Sequence, residues 1–474
     1  MGIEGLPEFI RNHFPSACGT ISLDLLRGKK VAIDTYIVMY SNMAVARKKI
    51  IFQTPNPFEV DEQLILTEWT RLMLEFAIIW LSHGVVPVFV FDGEALPEKK
   101  QMVGKKRKSQ KDKLRANIKT NEDLLSKTDI LLQTPQMIEN YRKALVQLTT
   151  LKIEAVNQLK ELFLNIGLPC LKAKHDAEKL CSMLCREGKV SAVYSRDSDN
   201  LVYACPILLT KFADSSRGGS GDMPNTYGQT RESLSCDYIN HSILLKVMNM
   251  TQEEFVDFCI MSGCDYNTNM SRIGVATSYK LIKRCKSIDL LSPKYDSTCL
   301  RYKRCRELFA YEKSSSIILE GDLHLDASKL GTSAREALDQ VGLAAGSNGR
   351  SYILRLLMLY QKFPGETGGT GGTGGTGSSL VFEKQRDFQK RPEESQEKRF
   401  EIIKIKLPSA QSKIQQTSVT DQKKTEERVK IKIVSSPLST TTISTSTSNV
   451  SIFPHTSIPV STQKKAGETV KKQI

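Results

Sequence analysis

The run over residues 85–92 limits the fold more than any other segment of this 474-residue chain. It is apolar at nearly every position and ends in Asp92, which is typical of a strand buried on both faces of a parallel sheet. Similar runs cover residues 31–34, 191–195 and 202–210, and apolar residues recur at helical spacing over 64–81. This alternation predicts an α/β fold with a mainly parallel central sheet and helices on both faces.

The charge balance indicates a polyanionic partner. The chain has 67 Lys and Arg against 52 Asp and Glu, a formal net charge of +15 and a pI of about 9.2. Nucleic acid and an anionic membrane face are both polyanions. The 11 Cys are scattered and form no CxxC pair, so neither a disulfide framework nor a cysteine zinc site is predicted. No stretch fits a signal core or a membrane span, so we expect a soluble intracellular protein.

Composition also divides the chain. Residues 365–379 are a Gly/Thr-rich linker, and residues 380–474 are polar with few aromatics, which predicts a disordered basic tail. Residues 99–151 are Lys-rich and helix-forming, which favours a basic helical arch. A solvated helical insertion, or a nuclear import signal at residues 105–108, explains that charge equally well.

Seven acids are candidates for one site. Open α/β sheets bind ligands at the carboxyl ends of their strands, which is where aspartates follow three of the runs. Any one of them is more readily a helix cap than a ligand, but seven carboxylates in one crevice require cations. All-oxygen ligation suits Mg²⁺ or Mn²⁺, and two such ions about 4 Å apart would stabilise a phosphodiester displacement. The candidates are Asp34, Asp92, Asp176, Glu178, Asp197, Asp199 and Asp265.

Six short motifs occur in order along residues 1–290. They are Met1-Gly-Ile-Glu-Gly-Leu6, Val31-Ala-Ile-Asp34, Val88-Phe-Val-Phe-Asp-Gly93, Asp176-Ala-Glu178, Asp197-Ser-Asp199 and Gly263-Cys-Asp-Tyr266. With this set the chain resembles the flap endonuclease/XPG family of structure-specific 5′ nucleases. The resemblance implies a PIN-like nuclease core with a helical arch, and two Mg²⁺ ions held by the seven acids, with Mn²⁺ as a substitute.

The resemblance also implies a division of the chain. The nuclease regions would be residues 1–98 and 152–290, with the arch at 99–151 between them. A helix-two-turn-helix that binds DNA would lie near residues 262–285. Residues 291–364 would be the C-terminal helical part of the core, followed by the linker and the tail.

Basic and aromatic residues also take roles from the resemblance. Lys99, and with it Lys106 or Arg107, would contact the scissile phosphate. Tyr40 would stack on a base near the cleaved linkage, although core packing explains this tyrosine equally well. The implied contacts with the DNA backbone are Gly2, Arg47, Arg272, Gly274, Lys280, Lys283 and Arg284.

Two positions depart from the family's pattern. The family usually has Glu where Asp176 stands, so this carboxylate is one methylene shorter. Arg272 replaces a hairpin glycine, which strains the turn if the position needs a positive φ, and this puts the family's monovalent-cation site in question. The tail contains no sliding-clamp motif, so clamp binding is not predicted and the tail's partner is unknown.

We therefore expect a monomeric, Mg²⁺-dependent nuclease that acts on branched or nicked DNA at 5′ flaps or 5′ single-strand/double-strand junctions. Replication or repair in the nucleus would be its setting, or the host nucleus or cytoplasm if the source is viral; no membrane partner is expected. The short chain between Asp92 and Asp176 favours the flap or exonuclease branch over the excision-repair branch. The alternatives are a 5′-to-3′ double-strand-dependent exonuclease, a ribonuclease of similar fold and a non-catalytic DNA-junction-binding protein.

Overall fold

Seven strands form one sheet in the computed structural model, which describes residues 2–213, 234–312, 320–343 and 347–363. They are β1 (Cys18–Ser22), β2 (Lys30–Asp34), β3 (Val86–Phe91), β4 (Cys170–Lys172), β5 (Ala192–Tyr194), β6 (Ile207–Phe212) and β7 (Ser235–Asn240). Their order across the sheet is β1-β7-β6-β5-β2-β3-β4. The strands from β6 to β4 pair in parallel, which confirms the predicted mainly parallel sheet. β7 pairs antiparallel with both β6 and β1, an edge that the sequence analysis did not predict.

Fourteen α-helices lie in the described part of the chain. They are α1 (Leu6–His13), α2 (Thr35–Gln53), α3 (Glu62–Ser82), α4 (Pro97–Lys127), α5 (Pro135–Gln147), α6 (Ile153–Asn165), α7 (Ala177–Arg186), α8 (Asp199–Val202), α9 (His241–Met248), α10 (Gln252–Ser262), α11 (Val275–Cys285), α12 (Tyr302–Phe309), α13 (Thr332–Gln340) and α14 (Ser347–Tyr360). The helix predicted over residues 64–81 is confirmed as α3. None of these helices combines the length and the apolar character that crossing a bilayer requires.

Strand β3 shows why helices cover both faces of the sheet. Every residue of the strand is buried, and successive side chains point to opposite faces. Phe89 packs against Phe76 of α3, with 6.5 Å between the ring centroids. Val88 and Val90 belong to the core cluster that also contains Cys181 of α7. A strand covered on both sides must be apolar throughout, which is the pattern that the sequence displays.

The parallel register brings three strand ends to one edge of the sheet. Asp34 lies opposite Val90 of β3, and Ile33 lies opposite Tyr194 of β5. Asp92 therefore follows β3 at the same edge where β2 ends. The strand predicted over residues 202–210 is β6, and it begins later than predicted, at Ile207. The residues before it form α8 and a turn in which Ala204 has a φ of 58°.

The Lys-rich segment is a helical hairpin. α4 has 31 residues and buries only Leu125 along its length. At 1.5 Å per residue it is about 45 Å long. α5 returns to the core, where the Arg142 guanidinium donates to the carbonyls of Thr54 and Pro55 at 2.7 and 2.9 Å. The hairpin is thus anchored at its base and exposed along its middle.

Two predicted C-terminal segments cannot be compared with the structure. The predicted linker at residues 365–379 and the predicted disordered tail at 380–474 lie outside the described residues. The segment boundaries stay predictions. All eleven Cys lie among the described residues as free thiols.

A buried ion pair joins α10 to α12. Asp257 is 3% exposed, and its two carboxylate oxygens accept from Arg306 Nε and Nη2 at 2.7 and 2.6 Å. The backbone N–H of Ile288 donates to the same carboxylate at 2.9 Å. A buried carboxylate is tolerated only when such partners replace water.

Replacing Arg306 with Ala should lower the free energy of unfolding by about 3 kcal/mol, because Asp257 would remain buried without its counter-charge. Urea denaturation followed by circular dichroism measures this loss. The control is Arg115→Ala, which breaks the exposed Arg115–Asp112 pair and should cost less than about 1 kcal/mol. Equal losses in the two variants would contradict the assignment.

Candidate metal centre

Lys99 lies among the acids at the base of the helical hairpin. Its side chain comes from the first turn of α4, and its ammonium is 2.9 Å from Asp176 Oδ1, 3.0 Å from Glu178 Oε1 and 3.8 Å from Asp265 Oδ2. Burial alone would lower the pKa of Lys99, but the carboxylates of Glu178, Asp176 and Asp265 outweigh burial and raise that pKa above the usual lysine range. The ammonium therefore stays charged.

Asp34 and Asp92 reach the same pocket from neighbouring strands. Asp34 is 2% exposed, and Ser195 Oγ donates to its Oδ2 at 2.8 Å. The Ala177 N–H, at the start of α7, donates to Asp92 Oδ1 at 2.8 Å. Burial, followed by the negative charges of Asp92 and Asp197, raises the pKa of Asp34 from 3.8 to about 8. Burial is the larger cause, and repulsion from the two other carboxylates adds to it.

Asp197 and Asp199 stand in a tight turn after β5. The Asp199 N–H donates to Asp197 Oδ1 at 3.0 Å. Asp199 is fully buried, and neither of its carboxylate oxygens has a hydrogen-bond partner among the described atoms. Burial, together with the charges of Asp197 and Asp265, raises the pKa of Asp199 well above its ordinary value. A bound cation would therefore give both buried oxygens of Asp199 the partner that they lack among the described atoms.

Asp176 and Glu178 enter the pocket from the N-terminal end of α7. Asp176 is the N-cap residue and Glu178 lies in the first turn, so both reach Lys99 although they are only two residues apart. Burial raises the pKa of Glu178 well above its ordinary value, Lys99 opposes the shift, and Asp197 adds to it. Asp265 arrives from the turn after α10, where Gly263 has a φ of 101°.

The donor chemistry fits a hard divalent cation. The pocket gathers seven carboxylates around one ammonium, and oxygen-only ligation is what Mg²⁺ prefers. Across residues 2–213 and the other described stretches, no three His, Cys, Asp or Glu side chains already stand as a metal-ligand set. The Lys99 ammonium occupies the space among Asp176, Glu178 and Asp265 instead. An entering ion would meet the paired acids only after this ammonium moved aside.

Gly2 contacts the acid turn directly. Its φ is +74°, and a Cβ at this position would collide with Asp197 Oδ1 and lie 2.6 Å from Ser198 Oγ. The Ile3 N–H donates to the same Ser198 hydroxyl at 2.9 Å. Gly2 was predicted as a DNA contact, and the structure places it against the candidate metal centre.

The arch residues and the tyrosines of α2 surround this pocket. Lys106 and Arg107 are exposed on α4. Burial raises the pKa of Asp92, and the charge of Arg107 opposes this rise. Tyr40 is half-buried, with its ring 5.3 Å from that of Tyr36. Tyr36 was missed by the sequence analysis, although it follows Asp34 by two residues. Burial, followed by the charges of Tyr40 and Asp92, raises its pKa.

Two predicted phosphate contacts already have other partners. The Arg47 guanidinium lies 3.0 and 3.1 Å from the carboxylate oxygens of Glu62, and only 11% of its side chain is exposed. The Lys283 ammonium donates to the carbonyls of Met248 and Asn249 at 2.6 and 2.7 Å, which caps the end of α9. This geometry disfavours a phosphate contact for either side chain, and the cause is a tertiary partner that sequence spacing does not reveal.

The hairpin between α10 and α11 keeps the other predicted contacts exposed. Arg272 has a φ of 62°, so the position does adopt the left-handed conformation in which a non-glycine residue is strained. Gly274 precedes α11 with open space around it. Lys280 and Arg284 are exposed on α11. These side chains are free to reach a ligand from solvent.

Family models match both halves of the pocket. The XPG N-terminal domain matches residues 1–113, and the XPG I-region matches residues 167–265. Flap endonuclease 1 of Candida dubliniensis is 33% identical over 290 residues, which cover 61% of this chain and 69% of that protein. This chain belongs to the flap endonuclease/XPG family. All seven acids lie in the segments that the two family models match.

Other members of the flap endonuclease/XPG family are longer than the matched region. Flap endonuclease 1 of Cryptosporidium muris is 31% identical over 317 residues, which cover 65% of this chain and 62% of that protein. The match to its Cryptosporidium parvum relative covers 60% of that protein. The solved structure of flap endonuclease-1 from Methanococcus jannaschii aligns with 20% identity and a TM-score of 0.47, over 73% of this chain and 96% of that one.

Ca²⁺ should raise the melting temperature more at pH 8 than at pH 6, by about 1–2 °C, which corresponds to about 1 kcal/mol for a chain of this size. Folded Asp34 keeps its proton up to about pH 8, whereas an unfolded aspartate releases it near 3.8. Without an ion, the stability contributed by this group is therefore present at acid pH and is lost as the pH rises toward 8. At pH 6 a binding ion must displace that proton. At pH 8 about half of the molecules have already released it, so ion binding stabilises the folded chain more.

Differential scanning fluorimetry with Ca²⁺ or with EDTA at the two pH values measures this effect. The matched variant is Asp34→Asn, which cannot release a proton at this position and should show a smaller difference between the two Ca²⁺ shifts. The other acids whose pKa is raised keep the rest of the difference. An equal Ca²⁺ shift at pH 6 and pH 8 in the native chain would rule out the linkage.

Proposed function

We propose that this chain is a divalent-metal-dependent nuclease that hydrolyses phosphodiester bonds in DNA at 5′ flaps or 5′ single-strand/double-strand junctions. The observation that carries the proposal is the pocket in which Lys99 lies within 3.8 Å of three acids at the base of a basic helical hairpin. Membership of the flap endonuclease/XPG family supports it, because metal-dependent cleavage of DNA uses a cation-binding acid cluster together with a basic path for the strand.

The seven acids would hold two Mg²⁺ ions, with Mn²⁺ as a substitute. Bound ions would supply the positive charge that stabilises the attacking and leaving oxygens of the displacement. Asp199 is the strongest candidate ligand, because its two buried oxygens have no partner among the described atoms. The other candidates are Asp34, Asp92, Asp176, Glu178, Asp197 and Asp265.

Lys99 would serve the scissile phosphate. Its ammonium is held charged by the acids and is tethered to the first turn of α4, so it can donate to a phosphate oxygen that enters the pocket. Arg107 lies two turns along the same helix and would contact the next phosphate of the strand. The ring of Tyr36 or Tyr40 would stack on the adjoining base without reading its identity.

The substrate preference rests on two elements, the helical hairpin of α4 and α5 and the turn between α10 and α11. The exposed lysines of α4 would bind the single-stranded 5′ segment, and Arg272, Lys280 and Arg284 would bind the uncut duplex through its phosphates. A 5′-to-3′ exonuclease uses the same parts and differs in the position of the first cut. A nuclear location, a monomeric state and the absence of clamp binding remain predictions.

The variant Asp199→Asn should lower the rate of Mg²⁺-dependent cleavage by at least about 100-fold while preserving duplex binding in Ca²⁺, because one ligand charge is lost without a change of shape. The assay uses 5′-labelled flap, nick, gap, bubble, four-way-junction and matched RNA-flap substrates. Product positions separate flap cleavage from stepwise exonucleolysis, and the RNA flap separates a ribonuclease.

The control variant is Asp237→Asn, which changes a partly exposed acid on β7 that pairs with Lys211. It should cleave as the native chain does. Unchanged cleavage by Asp199→Asn would remove the catalytic assignment. Tight junction binding by the native chain with no cleavage of any substrate would favour the non-catalytic alternative.

The double variant Lys280→Ala/Arg284→Ala should reduce the slope of log K against log salt for duplex binding by about two units, because each exposed cation displaces about one counterion. Lys283→Ala should instead lower the melting temperature and leave the slope unchanged, since Lys283 caps α9. Fluorescence anisotropy over a salt series measures the slope. An unchanged slope in the double variant would show that α11 does not touch phosphate.

A further inference from the structure

The carboxylate of Asp176 is held on both sides. Its Oδ1 lies 2.9 Å from the Lys99 ammonium, and its Oδ2 accepts from the Tyr266 hydroxyl at 2.8 Å. Asp176 is 7% exposed and Tyr266 is 1% exposed, so water does not compete for either contact. The two partners lie on opposite sides of the carboxylate and therefore fix its rotation.

A second tyrosine sets the direction of the first. The Tyr203 hydroxyl lies 3.1 Å from the Tyr266 hydroxyl, and both side chains are buried. A phenol has one hydrogen, and Tyr266 donates its hydrogen to Asp176, so Tyr203 must donate to Tyr266. The chain Tyr203–Tyr266–Asp176 thus runs in one direction, and each bond polarises the next.

Three elements meet at this hydrogen-bond chain. Asp176 caps α7, Tyr203 follows α8, and Tyr266 lies in the turn after α10. Phe309 of α12 packs on both tyrosine rings, with centroids at 5.3 and 5.4 Å. Neither phenol can swing away without disturbing this packing, so the hydroxyl of Tyr266 is a fixed donor.

We propose that Tyr266, supported by Tyr203, is a positioning residue of the candidate metal centre: it retains Oδ2 of Asp176 so that only Oδ1 faces Lys99 and an entering ion. The inference rests on the proposed function, since it assumes that the acids hold divalent ions. Without Tyr266 the carboxylate plane is no longer held from its outer side, so it loses the fixed orientation in which one oxygen faces the pocket.

Calorimetric Ca²⁺ binding to the full chain, without nucleic acid, tests this role. Tyr266→Phe removes one oxygen and should weaken Ca²⁺ binding by about 10-fold, as the loss of a hydrogen bond to a ligand does in other metal sites. Tyr203→Phe should weaken it in the same direction by about 3-fold, because it removes only the polarising bond. The matched control is Tyr360→Phe, which removes a buried phenol that donates to the Ile166 carbonyl at 2.7 Å.

Melting temperatures separate positioning from general stability. Tyr360→Phe loses one buried hydrogen bond and Tyr266→Phe loses two, so Tyr266→Phe should melt at a somewhat lower temperature, but only Tyr266→Phe should bind Ca²⁺ more weakly. A Ca²⁺ affinity of Tyr266→Phe within twofold of the native value would overturn the inference and leave the proposed function standing. A native chain that takes up no Ca²⁺ or Mg²⁺ would overturn both.

A double-variant cycle adds a second test. The Tyr266 hydroxyl donates to the Asp176 carboxylate at 2.8 Å, so a role exercised through that carboxylate disappears when the carboxylate is removed. Tyr266→Phe should therefore weaken Ca²⁺ binding in the native chain but cause no further loss in Asp176→Ala. Losses that simply add would show that the two positions do not act together and would overturn the inference.

Discussion

Repulsion among buried carboxylates is the physical constraint that the rest of this structure must balance. Seven acids from distant parts of the sequence share one pocket, and Lys99 is the cation that lies within 3.8 Å of three of them. Burial and mutual charge raise the pKa of Asp34, Glu178 and Asp199, so the folded chain holds these groups at a cost in stability. Apolar burial in the sheet and the surrounding helices must offset that cost, and a bound cation would lower it by reducing the repulsion.

The sequence predicts the parts of this arrangement that follow from strand geometry. Parallel pairing of β2, β3 and β5 brings their ends to one edge, so strand order along the sequence is enough to predict that Asp34, Asp92 and Asp197 lie together. The β1–β7 edge was not predicted, because it joins Cys18 to Ile239 across more than half of the described chain. The roles of Arg47 and Lys283 were equally hidden, since Glu62 and the end of α9 decide what those cations bind.

The helical hairpin depends on its base for its position. α4 buries one residue in 31, so it lacks the apolar face that normally fixes a helix on a domain. Its first turn is tied by Lys99 to the acids and by Glu98 to Arg304 of α12 at 2.9 Å. α5 is tied to the core through Arg142 and through the contact of Tyr141 with Phe58. The middle of α4 can therefore move with a bound strand while the base of the helix stays attached to the core.

The turn between α10 and α11 holds a strained residue at an exposed basic position. Arg272 adopts a φ of 62°, a conformation that costs a non-glycine residue about 1 kcal/mol. The Asn269 amide bridges the carbonyls of Ser262 and Ile273 at 2.9 and 3.0 Å, and this clamp fixes the turn whichever residue occupies position 272. A glycine there would relieve the strain but offer only a backbone N–H. Under the proposed function, arginine at this exposed turn adds a phosphate-binding charge, which explains why a strained residue stands where the clamp can hold it.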